Sequence, residues 1–159
     1  MSEVSTRSRA RGGTSETEST FPVRLVLSVQ WGEMDAYGHV NNTVYFRWFE
    51  SARMAYFARL GWPEVERATG VGPILHSTRA RFRAPLEWPD EVEVTTRAVE
   101  VGEDRFTMLY EIRSRALGRV AAEGEGLIVA FDYRSKRKAA LPLAVRERLA
   151  ALEGPGVTR

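Results

Sequence analysis

The first clear pattern in the chain is an alternation of apolar and polar residues that begins after Phe21. Apolar side chains occupy every second position, at Val23, Leu25, Leu27 and Val29. A repeat of two residues is typical of a strand with one buried face. The sequence therefore predicts a first strand that ends near residue 30, followed by a polar, glycine-containing stretch over residues 31–42.

Residues 43–62 show a helical pattern. Gly61 followed by Pro63 predicts the end of this helix. Aromatic side chains are frequent on its other sides as well, which favours a largely buried helix. The apolar positions recur at helical spacing, at Tyr45, Phe49, Ala52, Tyr56 and Leu60.

Beyond the helix, the pattern returns to strands separated by short turns. Gly124 and Gly126 lie inside the last strand, where glycine indicates a bulge, a bend or the close approach of another backbone. The order β-α-β-β-β-β predicts an α+β fold in which an antiparallel sheet wraps around one long central helix. The predicted strands cover 74–83, 92–98, 106–112 and 119–131, and a short helix covers 143–152.

Length and composition limit the class of protein. The 159 residues fit one domain, which we expect over residues 21–153, while the polar residues 1–20 predict a disordered tail. The absence of cysteine excludes disulfides and thiolate metal sites. A net charge of +2 is too small to predict a nucleic-acid partner, and no apolar run approaches the roughly 20 residues of a membrane span. We therefore expect a cytoplasmic protein without a membrane partner.

Most residues that could take part in catalysis lie in the stretch before the helix. Unpaired N–H groups at a helix N-terminus can stabilise an oxyanion, and a carboxylate just before them can act as a base or a nucleophile. The same residue types are also common in turns and helix caps, so spacing alone leaves a structural role open. The residues concerned are Glu33, Asp35, His39, Asn41 and Asn42.

One motif in this stretch reads Asp, two residues, Gly-His-Val-Asn-Asn, two residues, Tyr, and later Glu-x-x-Arg. Its positions are Asp35, Gly38–Asn42, Tyr45, Glu50 and Arg53. This motif closely resembles that of the 4-hydroxybenzoyl-CoA thioesterase-like family of the hotdog superfamily. The resemblance extends over about residues 22–142 and includes Gly124. One departure is Glu33, where many relatives have Asp.

The resemblance implies a hotdog fold and an acyl-CoA thioesterase that needs no metal or redox cofactor. Asp35 matches the family's catalytic carboxylate, acting as nucleophile or general base. The backbone N–H of Asn42 matches the group that polarises the thioester carbonyl. His39 and Asn41 are expected to shape the loop close to the substrate. Hotdog relatives pair, so we expect a homodimer or a dimer of dimers with active sites at protomer interfaces.

Coenzyme A phosphates require cations at the mouth of such a site. Two basic groups are candidates: Arg81 and Arg83, which alternate with Arg79 along one strand face, and Arg137 with Lys138 after the last strand. Either group could instead be an ordinary solvated surface.

Two other functions are compatible with the same fold. One is a non-catalytic acyl-CoA or acyl-carrier binding protein, which the retention of Asp35 with its whole loop disfavours. The other is a hotdog hydratase, which requires a different Asp-to-His spacing from that of Asp35 and His39.

Overall fold

The computed structural model describes residues 21–154 and 156–157, and the tail predicted over residues 1–20 lies outside the described residues. This part of the chain forms one antiparallel sheet and three α-helices, with a 3-10 turn at Trp31–Glu33. The strands are β1 (Val23–Ser28), β2 (Val71–Phe82), β3 (Glu91–Val99), β4 (Arg105–Ser114), β5 (Arg119–Asp132) and β6 (Arg137–Lys138); the helices are α1 (Asn42–Arg59), α2 (Trp62–Thr69) and α3 (Leu143–Glu153).

The sheet has the strand order β1-β3-β4-β5-β2, and the short β6 pairs with the end of β5. β2 and β5 pair along almost their whole length, from Val71 opposite Asp132 to Phe82 opposite Ala122. β2 is therefore a 12-residue edge strand, and most of its residues are exposed. Its C-terminal end leads directly into the segment that faces the loop before α1.

α1 packs against the inner face of this curled sheet, and the predicted sheet around a central helix is confirmed. Its buried side includes Tyr45, Trp48, Phe49 and Tyr56. The facing side chains come from alternate positions of the strands, where period-two patterning places apolar residues on one face. They include Val92, Val94, Phe106, Met108 and Ile112.

Gly124 allows α1 to approach β5 more closely than any other residue would. A Cβ atom at this position would lie 2.4 Å from Cε2 of Phe49 and 3.0 Å from the carbonyl oxygen of Arg79. The Phe49 ring is fully buried and stacks on Tyr110, with 4.7 Å between the ring centroids. The ring is enclosed on both sides. What approaches Gly124 most closely is thus an aromatic side chain, whereas the sequence pattern indicated a bulge, a bend or another backbone.

The end of the long helix differs from the prediction. α1 ends at Arg59, and Gly61 adopts a left-handed conformation with φ of 61°. Pro63 then lies in the first turn of a second helix, α2, which the sequence did not predict. Proline has no backbone N–H. It is compatible with the first turn of a helix because the N–H groups of that turn have no intrahelical acceptor. α2 is only eight residues long, and the residue that it buries is Trp62.

α3 is attached to the rest of the fold by a buried carboxylate. Glu153 accepts hydrogen bonds from the Tyr56 hydroxyl and from the Ala98 N–H, both at 2.6 Å. Burial and the adjacent Glu153 carboxylate raise the pKa of the Tyr56 hydroxyl, so it remains a donor. These bonds join α3 to α1 and to β3, at the end of the fold away from the start of α1.

We predict that Gly124→Ala destabilises the protein by about 1–3 kcal/mol, because the added methyl group must displace the enclosed Phe49 ring. The midpoint of urea unfolding measures the loss. Gly32→Ala is the matched control, because a Cβ there meets nothing within 4 Å. Equal midpoints for the two variants would contradict the proposed constraint.

Candidate active site

The loop before α1 is a tight turn held by backbone hydrogen bonds. The Asp35 N–H donates to the His39 carbonyl at 2.9 Å, and the Gly38 N–H donates to the Asp35 carbonyl at 3.0 Å. Gly38 has φ of 76°, a conformation that favours glycine over residues with a side chain. The Val40 N–H donates to the Leu86 carbonyl at 2.8 Å. The turn is thus attached to the segment that follows β2.

The Asp35 carboxylate is held in one orientation by two donors. Its Oδ1 accepts from the Tyr37 N–H at 2.9 Å, and its Oδ2 accepts from Asn41 Nδ2 at 3.3 Å. Asp35 is partly exposed to solvent. A fixed, solvent-accessible carboxylate of this kind can attack a bound electrophile or activate a water molecule.

α1 begins with an N-cap that leaves one N–H group free. Asn41 caps the helix: its Oδ1 accepts from the Thr43 N–H at 3.0 Å and from the Thr43 hydroxyl at 2.7 Å. The Asn41 carbonyl accepts from the Val44 N–H at 3.0 Å. The N–H of Asn42, the first helical residue, has no intrahelical acceptor. It lies at the positive end of the helix dipole, where a developing negative charge is stabilised.

A surface depression of about 430 Å³ brings several of the predicted residues together. Asp35, His39, Asn42 and Arg83 all line it, whereas Asn41 holds Asp35 from beside it. Burial raises the pKa of the Tyr45 hydroxyl, so that part of the wall is neutral. The remaining lining residues are Val40, Tyr45, Phe82, Ala84 and Pro85.

His39 faces a different carboxylate from that of Asp35. Its Nε2 lies 3.5 Å from Oε1 of Glu87, and its side chain is 45% exposed. The hydrogen bonds that the Asp35 carboxylate accepts come from Tyr37 and Asn41. This arrangement fits the loop-shaping role expected for His39.

The four cations predicted to bind phosphate are not brought together within one protomer. Arg83 lines the depression and also pairs with Glu123 at 2.6 Å. Arg81 lies opposite Glu123 in the β2–β5 register, on the outer face of the sheet. Arg137 and Lys138 form β6 at the other end of β5, about 30 Å from Arg83 at the usual rise of a strand.

The sequence did not predict that Arg53 is buried. Nη2 of Arg53 lies 3.7 Å from Oε2 of Glu50, one turn earlier on α1. The Arg53 side chain is nevertheless only 7% exposed, and its Nη1 donates to the Tyr110 hydroxyl at 3.3 Å. The available signal was the position of Arg53 one turn after Phe49, on the buried side of the predicted helix.

Two further findings describe the surroundings of the site. Within residues 21–154 and 156–157, no three histidine, aspartate or glutamate side chains are placed to share a metal ion. None of the helices described is long and apolar enough to cross a bilayer.

The fold has counterparts in known proteins. A crystal structure of a thioesterase from Thermus thermophilus, complexed with coenzyme A and Zn, is 34% identical, with a TM-score of 0.74; the match covers 84% of this chain and 96% of that chain. The structure of BH1999 gentisyl-coenzyme A thioesterase is 26% identical, with a TM-score of 0.70, covering 80% and 99%. The chain therefore has the hotdog fold of these thioesterases.

Curated sequences give a shorter match. A protein of Aquifex aeolicus (strain VF5) is 34% identical over 83 residues, which are 52% of this chain and 65% of the relative. The chain thus spans slightly less than two thirds of that relative's length. The model of the Thioesterase-like superfamily matches residues 29–149, which are about three quarters of the chain. The chain therefore belongs to this superfamily.

Proposed function

We propose that this protein is an acyl-CoA thioesterase, which hydrolyses an acyl-CoA thioester to a free acid and coenzyme A. The observation that carries the proposal is that Asp35 and Asn42, the first residue of α1, line one depression. Superfamily membership and the coenzyme A bound to the similar Thermus thermophilus thioesterase support it.

In this mechanism the thioester carbonyl oxygen accepts a hydrogen bond from the Asn42 N–H. The N-terminus of α1 then stabilises the negative charge that develops on this oxygen. Asp35 either attacks the carbonyl carbon or removes a proton from the water that attacks it. The carbon–sulfur bond breaks, the thiolate leaves and takes up a proton, and water supplies the oxygen of the acid. If Asp35 attacks directly, water subsequently hydrolyses the resulting anhydride.

Asn41 is a positioning residue in this proposal. The same side chain caps α1 through Oδ1 and holds Asp35 through Nδ2. The carboxylate and the helix N-terminus are therefore fixed relative to each other by one amide group.

We predict that Asp35→Asn and Asp35→Ala fold normally and lose about 100-fold or more of the hydrolysis rate, because the base or nucleophile is removed. Thiol release from a panel of acyl-CoA thioesters measures the rate. Glu87→Gln is the control: it removes a nearby exposed carboxylate and should keep most of the activity.

Wild-type rates in both Asp35 variants would exclude the assigned role. No thiol release from any thioester, even by the wild type, would instead favour a non-catalytic acyl-CoA binding protein. Hydration of an enoyl thioester without thiol release would favour a hydratase.

The proposal includes a two-fold dimer formed along β2. Among the described residues this strand is a long edge of the sheet, and it exposes Ile74, Leu75 and Phe82. Unpaired edges of this length pair readily with another chain. A two-fold antiparallel pairing would bring the start of the partner's β2, with the adjoining β6, towards the Arg83 end of this protomer. The second basic group would then be supplied by the partner.

We predict that light scattering at micromolar concentration reports at least twice the protomer mass of 17.9 kDa. The physical reason is that pairing two β2 edges satisfies their backbone donors and acceptors and covers the exposed apolar side chains. A stable and active species of one protomer mass would contradict this assembly.

We predict that replacing the proposed phosphate contacts raises KM for acyl-CoA, more strongly at low salt, because these contacts are remote from the reacting carbonyl. The variants are Arg81→Gln with Arg83→Gln, and Arg137→Gln with Lys138→Gln. The control substrate is the corresponding acyl-pantetheine, which lacks the nucleotide and should be unaffected. Equal losses on both substrates would assign these side chains to the fold, and no loss on either would leave the phosphates in solvent.

A further inference from the structure

Arg53 is a buried cation with few partners. Its side chain is only 7% exposed, yet the described contacts of its five N–H donors are one hydrogen bond to Tyr110, at 3.3 Å, and the Glu50 carboxylate 3.7 Å away. The Glu50 side chain is 64% exposed, so it approaches the guanidinium from the solvent side. A guanidinium removed from water requires compensating acceptors, and this one has N–H groups left to donate.

Tyr110 adds a second donor at the same place. Its hydroxyl oxygen accepts from Arg53, and within the described part of the chain no residue accepts its proton. Burial raises the pKa of this hydroxyl, while the Arg53 guanidinium partly offsets the rise. The hydroxyl therefore remains protonated and can donate. Two donors directed at one place fit an acceptor with two oxygens.

Gly126 allows Leu75 of β2 and the Tyr110 hydroxyl to pack closely against the backbone of β5. A Cβ atom there would lie 3.4 Å from the Tyr110 hydroxyl oxygen and 3.1 Å from Cδ1 of Leu75. Its φ is not in the left-handed region, so the backbone conformation itself does not require glycine. A side chain at this position would crowd both groups, so the glycine keeps the hydroxyl next to edge strand β2.

The donors lie along the side of α1 that starts at the candidate active site. Asn42, Phe46, Phe49 and Arg53 follow one another at helical spacing, so they share one side of α1. The Cα atoms of Asn42 and Arg53 are about 16 Å apart along the axis, and helical side chains lean back towards the N-terminus. The Arg53 side chain therefore extends towards Asn42 and shortens the gap that an acyl chain with its carbonyl at Asn42 must bridge. Leu75 and Thr78 of the neighbouring edge strand β2 are exposed, so this side of α1 borders a solvent-exposed part of the fold.

We propose that Arg53 and Tyr110 form a subsite for the far end of the acyl group and that it selects acyl chains ending in a carboxylate. The inference rests on the proposed thioesterase function, since it names the substrate class of the same site. A terminal carboxylate accepts from the guanidinium and from the Tyr110 hydroxyl together, and it neutralises the buried charge. A terminal methyl group leaves these donors unpaired.

Glu50 opposes this selection. Its carboxylate lies near the guanidinium and repels a second carboxylate. Neutralising it in Glu50→Gln should strengthen the preference for a carboxylate end, whereas Tyr110→Phe should weaken it. The two variants are therefore expected to change the preference in opposite directions.

The test compares suberoyl-CoA with octanoyl-CoA, two substrates of equal chain length that differ in their terminal group. Wild-type kcat/KM should favour suberoyl-CoA by roughly tenfold or more, because one hydrogen bond to a charged group contributes a factor of about this size. Tyr110→Phe, which keeps the ring stacked on Phe49, and Arg53→Met should each remove most of this ratio. Acetyl-CoA is too short to reach the subsite, so its hydrolysis measures any general loss of activity in Tyr110→Phe and Arg53→Met.

Binding provides a readout that does not depend on turnover. In the Asp35→Asn background, the ratio of Kd values for the two acyl-CoAs should show the same preference and the same loss in Tyr110→Phe. If the wild type hydrolyses neither substrate, the proposed function fails, while the Kd ratio still tests the subsite. A preference for octanoyl-CoA, or a ratio that Tyr110→Phe and Arg53→Met leave unchanged, overturns the inference. A change of association state in Arg53→Met with an unaltered ratio overturns it too, and assigns the guanidinium to a protomer contact.

Discussion

The contact between Phe49 and the backbone at Gly124 is the constraint on which the rest of this structure depends. It sets how closely α1 approaches β5, because a Cβ at position 124 would overlap the ring. The stacked Tyr110 encloses the ring from the other side. A helix is stiff, so fixing it at this point also fixes the two groups to which we assign functional roles, the N–H of Asn42 and the guanidinium of Arg53.

At the start of α1, helix stability and site geometry depend on the same side chain. Asn41 satisfies helix donors with its oxygen and holds Asp35 with its nitrogen. Substitution by aspartate would preserve a capping oxygen and remove the donor to Asp35. A single asparagine therefore explains why an intact helix N-terminus and a fixed carboxylate occur together here.

The energetic contribution of each arginine depends on how far its side chain is exposed to solvent. Arg79 and Arg83 are exposed and pair with glutamates of β5, so each pair stabilises the fold only slightly. Arg53 is enclosed, and an unsatisfied donor there has a much larger energetic cost. This contrast is why we assign selectivity for the acyl group to the buried arginine and only remote binding to the exposed ones.

The features that depend on local pattern were predictable from the sequence. Alternating residues predicted the strands, the aromatic stripe predicted α1, and the motif around Asp35 identified the loop, because turns and caps are encoded within a few residues. Which distant groups meet depends on how the elements pack in three dimensions. The pairing of β2 with β5 placed Arg137 and Lys138 at the far end from Asp35, and the closeness of α1 to the sheet buried Arg53 beside Tyr110. Strand order and interior packing arise from contacts between residues far apart in the chain, which no local pattern contains.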